Sequence, residues 1–194
     1  MQTSAHHMFP APAHPRLLHI YHEGLSHRHT KILDSNKQTI LYTIEIHSYT
    51  KPHVEIRGPN NTIIATVTFH SLSNTIDLVV HNTSIPVNSR AMFKSGHEYM
   101  SPFAAPRQTL TWKNDGVFSG GDLVCSDASE RPVARFESSN WSASKTGKLE
   151  LGPLVAAGPG MDEIVCAGVA IVDYKRRHNS SRGGDGGGDG GGGG

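Results

Sequence analysis

Cysteine is scarce in this chain of 194 residues: Cys125 and Cys166 are its only two. They are too few and too far apart for a disulfide framework or a cysteine-based metal site, so both read as buried, reduced thiols. A surplus of one charge is missing too, because 18 Lys and Arg stand against 17 Asp and Glu, a formal net charge of +1. No global field draws the chain to nucleic acid, and an electrostatic partner has to be met by a local patch. Long apolar runs are absent. The most apolar stretch, Ile164 to Val172, has nine residues, against the ~20 that a membrane-spanning helix needs. The N-terminus does not follow a basic segment with an apolar one, so neither a signal peptide nor an anchor is expected, and the compartment implied is the cytoplasm, with peripheral access to membranes. Sequons at Asn60, Asn82, Asn140 and Asn179 are then chance matches in a chain rich in Ser, Thr and Asn.

Catalytic strings are missing as well. No Gly-x-Ser-x-Gly, phosphate-loop or zinc-hydrolase pattern occurs, and Asp115, Asp122, Asp127, Glu130 and Glu137 are scattered over turns and outward positions. Gly120-Gly121 is a turn, and Trp112 and Trp141 read as packing or rim aromatics rather than a base-stacking platform. Thirteen histidines are present, with His6, His7, His14, His19, His22, His27 and His29 crowded into the N-terminal lead. Spacings such as His27-x-His29 suit a metal, but no cysteine or second fixed pair completes a tetrahedral set, so a flexible polar lead is expected. In the body, His47, His53, His70, His81 and His97 fall at strand ends or on polar faces, where a histidine is solvated by default. The expectation is a protein that is not an enzyme and has no cofactor and no metal.

What the chain does contain is alternation. Short apolar runs separated by turn residues begin near Thr30 and predict strands at His29–Leu33, Thr39–His47, Val54–Arg57, Thr62–Phe69, Thr75–His81 and Ser84–Val87. The turns between them, including Gly58-Pro59-Asn60-Asn61 and Asn82-Thr83, use residues that bend the chain or tolerate positive φ. Arg90 to Pro106 reads as a long connection with one short strand at Glu98–Met100. Strands resume at Thr109–Trp112, Asp122–Cys125, Pro132–Glu137 and Lys148–Leu151, with a Ser/Lys/Gly connection from Ser138 to Gly147. Residues 1–15 mix His, Ala and Pro without periodicity and read as a flexible lead-in. The tail from 179 onward, glycine with Asp185 and Asp189 after Gly183, cannot bury apolar surface and reads as disordered. One domain, residues 16–178, is left, large enough for one sizeable core.

The run from Ile164 to Val172 fits a buried strand or a buried helix, because Ile164, Val165, Val169, Ile171 and Val172 are β-branched. Its flanks favour helix. Pro159-Gly160 punctuates the start, Asp162 and Glu163 stand where a helix N-terminus attracts anions, and Lys175, Arg176 and Arg177 stand where its C-terminus attracts cations. A helix with no polar face must be enclosed on all sides, which predicts a β-rich shell closed around one apolar helix.

Six ordered pieces carry a resemblance. They are Leu41-Tyr42-Thr43-Ile44-Glu45, Ile64 to His70, Leu110-Thr111-Trp112-Lys113, Val133-Ala134-Arg135-Phe136, Gly147-Lys148-Leu149-Glu150-Leu151, and Met161-Asp162-Glu163-Ile164-Val165 followed by a basic end. In this order the chain, from roughly Thr30 to Arg177, resembles an uncharacterised fungal domain family with a tubby C-terminal-like fold, distantly similar to tubby, LURP-one-related and phospholipid scramblase proteins. The resemblance implies a mainly β fold, a closed antiparallel barrel of about twelve strands around a central hydrophobic C-terminal helix. Tubby-like proteins bind phosphoinositides and scramblases act at membranes, but a fold does not fix a function. No tubby-like phosphoinositide site falls on matching positions here, and no cysteine-rich palmitoylation segment is present.

Lys175, Arg176 and Arg177 form the dense basic cluster. One reading is an anionic-lipid site at the helix exit, each cation adding about 1 kcal/mol near an anionic leaflet; the other is a complement to the helix dipole. The expectation is a non-enzymatic binding module that touches anionic lipid, a phosphoinositide, peripherally. Alternatives are a protein-partner scaffold and a small-molecule or catalytic barrel suggested by the histidines.

Overall fold

The computed structural model describes residues 14–24, 28–70, 73–90, 96–115, 122–138, 145–153, 155 and 157–182. The lead-in up to residue 13 with His6 and His7, His27, Gly120-Gly121, Asn140, Trp141 and the tail from Gly183 lie outside them. Twelve strands precede one helix: β1 (Arg16–Glu23), β2 (His29–Leu33), β3 (Ile40–Ile46), β4 (Val54–Arg57), β5 (Ile63–Phe69), β6 (Thr75–Val80), β7 (Thr83–Ser89), β8 (Gly96–Ser101), β9 (Gln108–Asn114), β10 (Leu123–Ser126), β11 (Pro132–Ser138), β12 (Lys145–Leu151) and α1 (Pro159–Arg182). Each strand pairs antiparallel with its neighbours in sequence, and β1 pairs with β12 to close the barrel. Closure leaves no open edge on which another chain could add a strand.

Alternation sets the register. Val54 and Ile56, Ala65 and Val67, Ile76 and Leu78, and Ile85 and Val87 are buried, while Glu55, Arg57, Thr66 and Asp77 between them point outward. A slip of one residue would turn each apolar set to water.

The predicted helix forms and is enclosed. Residues 163–168 are buried without a break, and at ~100° per residue six in a row cover every direction around the axis. Strands from all round the barrel touch α1. Arg16 of β1 reaches the Met161 sulfur at 3.4 Å, Tyr42 of β3 meets Asp162, Ser101 of β8 meets Glu163, and Phe69 of β5 packs 5.9 Å from Tyr174. Gly168 is required by this packing, since a Cβ there would stand 3.0 Å from Cη2 of the fully buried Trp112. Its cost in helix propensity, roughly 1 kcal/mol against alanine, is offset by the close approach of the indole. Ile164, Val165 and Ile171 lie in the core, whereas Val169 and Val172 are partly buried.

Four expectations need correction. β1 is a strand where the histidine-rich lead read as flexible, so His19 and His22 belong to the wall, while His29 opens β2 as the expected strand His29–Leu33 has it. Its successive Leu18, His19 and Ile20 are all buried, which erases the period-2 pattern that betrays a strand. The β6–β7 turn is His81-Asn82, not Asn82-Thr83; both residues have positive φ, 46° and 62°, the pair a tight two-residue hairpin demands. β12 begins at Lys145, within the segment expected to be a connection. α1 runs to Arg182, so residues 179–182 are helical.

Candidate functional site

Strand directions place the chemistry at the two ends of the barrel. At the end where α1 enters, Asp162 accepts hydrogen bonds from Tyr42 Oη at 2.6 Å and from the His81 ring at 2.8 Å. The neighbouring Glu163 is 1% exposed; Ser101 Oγ donates to its Oε2 at 2.6 Å, and its Oε1 has no partner. Desolvation pushes the Glu163 carboxyl up to about 7. Burial and the Asp162 carboxylate raise the Tyr42 phenol well above its ordinary value. Both acidic groups therefore tie the first turn of α1 to the wall.

At the end where α1 leaves, Asp173 is buried and holds two cations, Arg176 Nη2 at 2.5 Å and Arg177 Nε at 2.7 Å. Arg177 also donates to the His47 carbonyl at 3.1 Å and lies 5.0 Å over the Phe69 ring. Lys175 donates to Asn114 Oδ1, and burial lowers its pKa. The three sequence-predicted cations fan out from the helix exit, Lys175 to Asn114 of β9 and Arg177 to the His47 carbonyl and the Phe69 ring, while the two arginines share one carboxylate. Arg176 is the outermost of the three, its side chain 45% exposed.

Around Tyr174 the exit is packed with rings: His97 at 5.3 Å and His178 at 3.9 Å. His97, expected to be solvated, is buried and neither ring nitrogen has a hydrogen-bond partner. Desolvation first, then the charges of Lys175 and His178, push its pKa down to about 4, so the ring is neutral at pH 7. Two other body histidines find partners: His53 Nδ1 accepts from the Phe69 amide, and His70 pairs with Asp77 at 2.6 Å.

Beside α1 a crevice of about 70 Å³ opens between the helix and the wall. Ile20, Ile44, Phe136, Val169 and Val172 make it apolar, and His22, Asp173 and Arg176 line the part nearer the exit. On the outer wall a second cleft, about 330 Å³, is lined by Arg28, His29, Glu45, His47 and Tyr49. Glu45 stands directly opposite Glu55 across β3 and β4. One ligand atom from each of Glu45, His47 and Glu55 lies within 4.8 Å of the others. Sequence reading missed this group, because the meeting of residues 45 and 55 depends on the register of the hairpin between them. The interior, in contrast, is filled by α1. Among the described residues no helix is long and apolar enough to cross a membrane.

No curated protein matches the sequence. Among solved structures, the barrel is similar to the X-ray structure of a protein from Arabidopsis thaliana, with a TM-score of 0.57 and 11% identity over 87% of this chain and 95% of that one. At that identity the likeness is one of fold alone. The sequence itself matches a family model over residues 26–178, from the start of β2 to the exit of α1 and without β1. The chain therefore belongs to DUF6593, described as a family of unknown function.

Proposed function

We propose that this barrel is a non-enzymatic binding module that takes an anionic lipid headgroup, a phosphoinositide, peripherally at the exit of α1, from the cytoplasmic side. The observation that carries the reading is the apolar crevice with the half-exposed Arg176 on its rim. Apolar lining beside a cation suits an amphiphile: the guanidinium meets phosphate bidentately, and the apolar notch receives the part of the lipid next to the headgroup. At about 70 Å³ the notch seats an edge of the ligand and leaves the acyl chains in the bilayer. Asp173 holds Arg176 at this rim and pairs with Arg177 as well, so one carboxylate offsets one of the two positive charges. The resemblance to tubby-like barrels, whose members bind phosphoinositides, supports the same reading.

Flotation of the purified chain with neutral and phosphoinositide-containing vesicles tests it, at low and at physiological salt. Flotation is expected with the anionic vesicles alone, weakening with salt as screened charges do, and falling several-fold in Arg176→Gln and further when Lys175 and Arg177 are also neutralised. Absence of flotation, or flotation indifferent to salt, overturns the proposal.

A further inference from the structure

The outer wall carries a group that neither the barrel's packing nor the exit of α1 uses. Glu45 on β3 and Glu55 on β4 are directly paired in register, and His47 follows Glu45 by two residues, on the same face of the strand's path. Like charges directly opposite each other on adjacent strands repel. Arg57 relieves one of them, its Nη2 standing 2.8 Å from Glu55 Oε2, but Glu55 is largely removed from water, with its side chain 19% exposed. Glu45 has no hydrogen bond or ion pair among the described residues, although it is only partly exposed. The His47 ring is likewise bonded to neither carboxylate, yet ligand atoms of all three lie within 4.8 Å. Two carboxylates and an imidazole converge on a gap that none of them closes.

We propose that Glu45, His47 and Glu55 bind a divalent transition-metal ion of the zinc class. The donor set selects the class: an imidazole suits zinc and its neighbours, whereas calcium and magnesium prefer oxygen alone. In tetrahedral coordination with bonds of ~2.0–2.1 Å, ligand atoms stand about 3.3 Å apart, so atoms now within 4.8 Å of one another need to approach by no more than about 1.5 Å. A bound cation neutralises the Glu45–Glu55 repulsion and leaves Glu55 Oε2 to Arg57. Glu45 and His47 also line the cleft that holds His29 and the almost fully exposed Tyr49, from which water or a small anionic ligand can complete the shell. The backbone joins this site to the exit of α1, since the His47 carbonyl accepts from Arg177. The site stands independently of lipid binding.

The test is calorimetric titration of the full chain with Zn²⁺, paired with the visible absorption of the Co²⁺-substituted protein. The histidines of the N-terminal lead can also take up metal, so the diagnostic variant is Glu45→Gln with Glu55→Gln, which leaves every histidine in place. One equivalent is expected to bind to the wild type and to weaken at least 100-fold in the double variant, and His47→Ala should weaken the same equivalent. The Co²⁺ absorption of the wild type is expected to disappear in both. Metal-free thermal unfolding serves as the folding control: the double variant should still melt in one cooperative transition, because the repulsion it loses offsets the Arg57–Glu55 pair it also loses. Absence of a wild-type binding event, or superimposable isotherms for wild type and double variant, overturns the proposal.

Discussion

The two ends of the barrel receive the same helix in different ways. At the entry, carboxylates of α1 bond directly to the wall: Asp162 to Tyr42 and His81, and Glu163 to Ser101. At the exit the carboxylate of Asp173 bonds back to Arg176 and Arg177 of the same helix, and the wall is met by rings, by Asn114 and by the His47 carbonyl. Side chains bonded to the wall lock the entry. At the exit the carboxylate is paired within its own helix, and beside it the apolar crevice opens. The difference teaches that acids at a helix start and bases at its end, equivalent as complements to the dipole, serve unlike ends once a wall surrounds them.

The widest test of that contrast is removal of α1 by a stop before Met161. The core residues that face it, Trp112 and Leu123 among them, would line a void, and burial worth ~1.5–3 kcal/mol for each large apolar side chain would be lost. Loss of cooperative unfolding by calorimetry is expected; a soluble truncation that melts cooperatively would show that neither end depends on the helix.

A smaller effect comes from pH at the entry. The Glu163 carboxyl is raised from an ordinary value near 4.5 to about 7, so the folded state holds its proton more tightly than the unfolded state. Its contribution to stability is full below about pH 4.5 and is lost as the pH rises through about 7. The loss amounts to about 3 kcal/mol at 1.36 kcal/mol per unit. Glu163→Gln should remove this slope from urea unfolding measured between pH 5 and 8, leaving the variant more stable than wild type at pH 8; an unchanged slope would show that another group carries it.

The finest test sets one substitution at each end side by side. Tyr42→Phe deletes a hydrogen bond to a carboxylate and should cost about 1.5–3 kcal/mol. Arg176→Gln, at a half-exposed ion pair, should cost no more than about 1 kcal/mol, while it weakens vesicle binding. Equal costs in chemical denaturation would erase the distinction between a locking end and a binding end.

Much of the barrel is legible in the chain because its outer faces are wet. Val54-Glu55-Ile56-Arg57 alternates, and the structure buries one pair and exposes the other. Leu18-His19-Ile20 does not alternate, since β1 buries all three, and that strand is invisible to periodicity. The basic cluster was equally plain as composition, but its internal pairing with Asp173 was not, because an acid three or four residues earlier reads as ordinary helix chemistry. His97 is a further case: nothing near it in sequence announces that Tyr174, far along the chain, will cover it.

By itself the sequence determined the repeated strands and one apolar helix that has to be enclosed, because apolar periodicity is local and burial is the dominant driving force. The tertiary structure alone decided that β1 closes the wall against β12, that Asp162 and Glu163 bond across to it, and that Glu45 and Glu55 face each other beside His47. Those outcomes depend on strand register and on ring closure, which join residues that no local pattern connects.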